Sequence, residues 1–189
     1  MRADAQANRE AIVMAAQTLF QEEGIDVSFR RIATEADVGV ATVHRNFPDR
    51  RVLVNAVTER VTAQAHDIVR AHEHSWDEDP WQNWNDVILE LVRLGITPLA
   101  EQISRFAYDE NLLAEIVEQR RTAISEVFAG LLDKARRHRF IPADVTPIRF
   151  AVGIGMISRE LPAVGRQLVD DQQEWFARVY LEGLRSLAQ

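Results

Sequence analysis

The stretch SFRRIATEADVGVATVHRNFPDRRVLVNAV occupies residues 28–57. Its apolar residues recur at helical spacing, with no sustained alternation of the strand type. Ser28 is a residue that caps helices, and Ile32, Ala33 and Ala36 then share one face of a helix over Phe29–Ala36. Asp37-Val38-Gly39 interrupts that helix. A short one over Val40–Asn46 follows, with Val38, Val43 and Phe47 able to fix it against the same core. A longer helix from about Asn8 to Glu23 precedes the pair, carries Ile12, Ala16, Leu19 and Phe20 on one face, and ends at Gly24. Another long helix starts near Asp49, where Leu53, Val57, Val61, Ala65 and Ile68 step along one side. Two short helices joined by a tight turn behind a packing helix make a helix-turn-helix, whose second helix can enter the DNA major groove.

With Val43 and Phe47 inward, Gly39, Val40, Ala41, Thr42, His44, Arg45 and Asn46 point outward. Gly39 and Ala41 are small enough to let backbone approach a phosphate or a base edge. Thr42, His44 and Asn46 are hydrogen-bonding types, and Arg45 suits a bidentate contact to guanine. Arg30, Arg31 and Arg50 lie at helix starts, where the helix dipole gives a cation nothing and a phosphate explains the placement. The expected DNA-contacting set is Ser28, Arg30, Gly39, Val40, Ala41, Thr42, His44, Arg45, Asn46 and Arg50. Between residues 28 and 51 there are five arginines and three acids, whereas residues 1–51 together carry seven arginines and eight acids. The basic footprint is therefore local, as a few phosphate contacts per half-site require.

This run resembles the DNA-binding head of the TetR family. The match rests on the cap at Ser28, the Ile32-Ala33 pair, Phe47 at the end of the second short helix and the basic Arg50 after the turn, and it covers about residues 8–58. Thr42 stands where the family has a phosphate-binding threonine. The chain departs from the family at Val40, often lysine there, and at His44 and Asn46, often aromatic. The resemblance implies a repressor that binds palindromic double-stranded operator DNA as a homodimer and is released when a small-molecule effector binds a variable helical body. It also implies a mostly apolar pocket in that body.

The remainder of the chain also reads as helix, so the expected fold is all-α: a three-helix head over residues 1–51 and a helical effector-binding and dimerisation bundle over 52–189. Asp79-Pro80 and Thr146-Pro147 each pair a cap residue with proline at the first helical position. Pro98, Pro142 and Pro162 mark further breaks. The apolar face of 111–137 is broad enough to predict burial on more than one side. Trp84, Ile88, Leu91, Phe106, Phe128 and Met156 are the candidate effector contacts, although aromatics at helical spacing are more often plain core. Two closing helices, about Thr146–Leu161 and Asp170–Ala188, carry the candidate dimer interface: Ile148, Val152, Gly155 and Arg159 on one, Phe176, Val179, Tyr180, Gly183 and Leu187 on the other. Two such helices from each subunit make a four-helix interface.

Of the 189 residues, 47% are hydrophobic and none is cysteine. That supports a packed core and rules out disulfides and thiolate metal sites. The net charge of −7 argues against a general nucleic-acid coat. No run approaches the roughly 20 apolar residues of a membrane span, and the N-terminus is too polar for a signal peptide, so a cytoplasmic protein is expected. His66, His72 and His74 lack the spacing of a helical zinc pair, and Gly153/Gly155 follow no strand, so neither a metal nor a dinucleotide cofactor is expected. No convergent nucleophile, base and orienting group is present, which argues against an enzyme. Two other readings stand beside the ligand-released repressor: a regulator of the same fold controlled by a protein partner, and a helical-bundle ligand carrier that does not read DNA.

Overall fold

The structure, a computed structural model, describes residues 2–159, 161 and 163–189. Pro162, expected to mark a break, lies outside the described residues. These are helical throughout, with no strand among them: α1 Arg2–Glu22, α2 Phe29–Glu35, α3 Val40–Asn46, α4 Arg50–Ala71, α5 Pro80–Arg93, α6 Ile96–Asp109, α7 Leu113–Arg137, α8 Pro147–Ile157, α9 Ala163–Leu168 and α10 Gln172–Leu187. A single 3₁₀ turn, Ser75–Asp77, stands between α4 and α5. No helix among the described residues is long and apolar enough to cross a membrane.

Local chemistry accounts for the boundaries. Ser28 accepts from the Arg31 amide at 3.1 Å, Asp79 from the Gln82 amide at 3.0 Å and Thr146 from the Arg149 amide at 3.2 Å, which satisfies a free donor at the start of α2, α5 and α8. Gly24 stops α1 with φ of +94°, a conformation that costs a glycine little. Asp37, at φ +51°, takes the left-handed conformation within the α2–α3 turn, an accommodation that Asp and Asn make more readily than other side chains.

Two compact units result. The first comprises residues 1–61 with 99–113, the second 62–98 with 114–189. In the first, Ile12, Ala16, Leu19, Phe20, Ile32, Ala33, Val43, Phe47, Leu53 and Val57 are buried, as are Leu99, Ile103 and Ala107 of α6. In the second, one core collects Trp76, Trp84, Val87, Ile88, Leu91, Phe128, Leu132, Phe140, Phe150, Ile154, Ala177 and Leu181.

Several details differ from the sequence expectation. A single cut after residue 51 does not match the compact units, because α4 sends Leu53, Val54, Val57 and Val61 into the buried set of the first unit and 99–113 joins it. Helix α1 begins six residues before Asn8, and a short α9 intervenes between the two closing helices. The N-terminal half of α7 is not buried on several sides: Leu113 and Val117 are exposed, and its core contribution comes from Val127, Phe128, Leu131, Leu132 and Ala135.

Candidate nucleic-acid interface

Helix α3, the one expected to enter the groove, is anchored from behind. Val43 and Phe47 are fully buried, and the Phe47 amide donates to the Val43 carbonyl at 2.8 Å. This leaves Gly39, Val40, Ala41, His44 and Arg45 exposed, with Thr42 and Asn46 half-buried. Val40 keeps 38% of its surface in solvent, as expected of a valine available to a methyl group or sugar and not used as core. Gly39 is the N-cap of α3 at φ −70°, a value open to any residue, and a Cβ there would meet nothing closer than the Thr42 hydroxyl at 3.8 Å. Its backbone does not require glycine, so the small side chain leaves room on the outer surface.

The polar groups on α3 are partly engaged with one another. Arg45 Nη2 donates to Thr42 Oγ1 at 2.9 Å, and Asn46 Nδ2 donates to the Thr42 carbonyl at 2.9 Å. Asn46 therefore lies back along the helix, while the rest of the Arg45 guanidinium faces outward. The His44 ring packs at 5.1 Å from Phe29, with the planes at 59°.

The cations around α3 divide into two sets. The side chains of Arg30 and Arg51 are exposed and make no hydrogen bond or ion pair among the described residues, while the Arg30 carbonyl accepts from the Thr34 hydroxyl. Arg31 is bound to Glu35 at 2.7 Å and Glu23 at 3.1 Å. Arg50, expected to hold a phosphate, instead turns inward. Its Nη1 donates to the Ile25 carbonyl and its Nη2 to the Val27 carbonyl at 2.7 Å. Burial works against the Arg50 charge, with Asp26 partly offsetting it. The sequence expectation passed over Arg51. The signal was available in the period of α4: residue 50 shares its stripe with buried Leu53, Val54 and Val57, whereas 51 is on the side of exposed Asn55.

Trp84, Ile88, Leu91 and Phe128 belong to the core of the second unit, where Trp84 stacks on Phe150 at 5.3 Å. Phe106 falls in the first unit, and Met156 is exposed on α8. The indole N–H of Trp84 is buried without a hydrogen-bond partner. A cleft of about 680 Å³ does open in the second unit, between α5 and α10. Its walls are charged: Asp86, Glu90, Glu174 and Glu182 face Arg93 and Arg178, and Glu174 pairs with both arginines.

Of the candidate dimer residues, Val152, Phe176, Val179 and Leu187 are exposed apolar groups, joined on the same two helices by Met156 and Trp175, which the sequence expectation had not placed there. Gly183 and Arg159 are exposed, and Ile148 and Gly155 are half-buried. Tyr180 is half-buried, with its ring 6.2 Å from Phe150 and its hydroxyl over Gly153.

These features agree with what the chain is similar to. The profile described as "Bacterial regulatory proteins, tetR family" matches residues 12–57. HTH-type transcriptional regulators from several strains of Staphylococcus aureus are 30% identical over 119 residues, covering 62% of this chain. The chain spans 57% of the length of these relatives. A TetR transcriptional regulator from Streptomyces coelicolor shares the fold over 94% of this chain and 98% of its own, with a TM-score of 0.66 and 24% identity. One from Mycobacterium vanbaalenii covers 97% and 98%, also at TM-score 0.66 and 24% identity. The multidrug binding protein EbrR, solved with imidazole, covers 93% and 88% at TM-score 0.54 and 22% identity.

Proposed function

We propose that this chain, which carries the DNA-binding head of the TetR family of transcriptional regulators, is a cytoplasmic repressor that binds a palindromic operator as a homodimer and leaves it when a small molecule occupies its body. The observation that carries the reading is the exposed face of α3, where Gly39, Val40, Ala41, His44 and Arg45 stand clear of the core, together with the exposed side chains of Arg30 on α2 and Arg51 on α4, which form no ion pair among the described residues. Arg45 reads a base, Thr42 holds a phosphate, and the helix-turn-helix of the first unit supplies the reading head to an effector and dimerisation body in the second. Binding to a palindromic fragment from the promoter of its own gene tests this. A log–log salt slope of several units and preference over a scrambled duplex are expected. Equal, weak binding to both duplexes would leave a partner-controlled regulator or a ligand carrier.

For the effector, we favour an apolar molecule bearing one hydrogen-bond acceptor, admitted beside Trp84, Ile88 and Phe128. A buried donor left without a partner costs on the order of 1–3 kcal/mol, which an incoming acceptor at Trp84 Nε1 would recover. The charged cleft between α5 and α10 favours a second reading, a polar effector carrying a cation for its carboxylates. Neutralising Asp86 as Asn abolishes binding of a cationic effector and spares that of an apolar one. In either case the coupling is reciprocal: operator DNA must weaken effector binding by the factor with which effector weakens DNA binding. Effector titration with and without saturating operator reads that factor.

A further inference from the structure

Arg50, Phe29 and His44 form one contact chain across the head. Arg50 is the first residue of α4, and its fork of N–H groups closes on two carbonyls of the loop before α2, those of Ile25 and Val27. The same guanidinium lies 5.2 Å from the centre of the Phe29 ring. Phe29, the first residue of α2, is in turn 5.1 Å from the imidazole of His44. His44 is exposed on α3 and has no core packing of its own, so Phe29 is the ring against which its orientation is set.

We propose that Arg50 is a positioning residue for base reading: it holds Phe29 against His44 and so aims the imidazole, in place of neutralising a phosphate. The proposal rests on the operator-binding reading above. The geometry demands arginine. A planar guanidinium can donate to two carbonyls and lie over a ring at once, whereas a lysine ammonium is a compact point charge that cannot do the three together. Arg51, exposed and unpaired, is the cation that this end of α4 presents to solvent.

Positioning and phosphate binding predict different salt behaviour, since only a phosphate contact releases counterions and adds about 1 to the slope. The full chain is titrated with the promoter palindrome and with a scrambled duplex at several salt concentrations, as wild type, Arg50→Met, Arg50→Lys, Phe29→Leu, the Arg50→Met/Phe29→Leu double and Arg51→Ala. Arg50→Met should lose about tenfold on the palindrome, the scale of one hydrogen bond from a charged donor, with the slope and the scrambled duplex unchanged. Arg50→Lys should not restore it, Phe29→Leu should lose a similar factor, and the double should be no worse than either single. Arg51→Ala should lower the slope by about 1 on both duplexes. A fall of about 1 in the slope for Arg50→Met, rescued by Arg50→Lys, would overturn the proposal, as would additive losses in the double variant. If Arg50→Met does not fold, Arg50→Lys and Phe29→Leu decide the point through the ring resonances of His44 in the free protein. Both should shift the His44 signals, and unchanged signals would also overturn it. That readout stands even if wild type fails to prefer the palindrome, an outcome that would sink the operator reading instead.

Discussion

The guanidinium of Arg9 lies 4.5 Å from the centre of the Phe47 ring, and its Nη1 reaches the carbonyl of Asn46 at 3.4 Å. Through this pair α1 clamps the C-terminal end of α3. Phe47 is fully buried, so the cation covers a ring already fixed by packing. Arg9→Ala should cost about 1 kcal/mol, the scale of a partly desolvated cation–π contact. Phe47→Ala should cost about 3–5 kcal/mol, because it leaves a cavity behind α3. Urea unfolding of the two variants measures both, and near-equal losses would mean that the aromatic is not seated in the core.

Arg45 and Thr42 are hydrogen-bonded to each other, so their variants should differ in kind, not in size. Arg45→Ala should cost about 1–3 kcal/mol on the best operator and relax preference at one base pair. Thr42→Ala should weaken all sequences alike, and by freeing Arg45 should not narrow its preference. Selectivity across a set of single-base operator variants reads the difference. Equal selectivity in wild type and Arg45→Ala would remove Arg45 from the reading role.

The head was legible because its signals are local. Ser28, Ile32-Ala33, Val43 and Phe47 each declare a cap or a buried face within one turn of helix, and the structure puts every one where that chemistry requires. Side-chain direction at helix ends was harder. Arg50 and Arg51 are chemically identical, and only the phase of Leu53 and Val57 separates the one that turns in from the one that stays out. The body was less legible because a broad apolar stripe does not say what covers it. The stripe of α7 is covered at Val127–Ala135 and bare at Leu113 and Val117. An exposed Val152 and a buried Trp84 likewise carry no mark in the sequence of which faces solvent.

Two glycines of the body should respond in opposite directions to alanine. At Gly153 an added Cβ would stand 2.4 Å from Tyr180 Oη and 2.8 Å from Cζ, so the ring must move. Overpacking of this kind costs about 1–3 kcal/mol and outweighs the gain in helix propensity. At Gly130, exposed on α7, a Cβ would meet nothing within 4 Å, and alanine should stabilise by about 0.5–1 kcal/mol. Thermal melts of both variants decide it; a stabilised Gly153→Ala would mean that α8 and α10 do not approach this closely.

Tyr180 should also make the stability of the body pH-dependent. Burial raises its pKa above the ordinary value, with Arg149 pulling the other way. A group that holds its proton more tightly when folded contributes stability below the unfolded value, about pH 10 for tyrosine, and loses it as the pH rises through the folded one. Wild type should therefore lose stability above about pH 10 faster than Tyr180→Phe, while the difference between them stays constant at lower pH. Denaturant unfolding of both proteins across pH 8–11, with tyrosinate absorbance followed in parallel, tests the sign; parallel curves throughout would refute it.

The exposed apolar groups of α8 and α10 should close on a second copy of the chain. Trp175, Phe176 and Val179 are each about half in solvent, Met156 and Leu187 more so, and Val152 stands with them. On α10 they occupy one sector of the helix, between the buried Ala177/Leu181 side and the charged side of Glu174 and Arg178. A two-fold pairing of this face covers it with itself, and a stable dimer needs only about 800 Å² per partner. Val179→Glu would place a charge in that face without touching the subunit core. It should convert a dimer into a monomer in sedimentation at micromolar concentration, with the far-UV spectrum unchanged. Operator binding should fall more steeply than any single phosphate contact explains, because two heads held about 34–36 Å apart, one turn of DNA, bind with the second encounter already intramolecular. A wild-type monomer, or a Val179→Glu dimer, would place the interface elsewhere and leave this apolar face for a different partner.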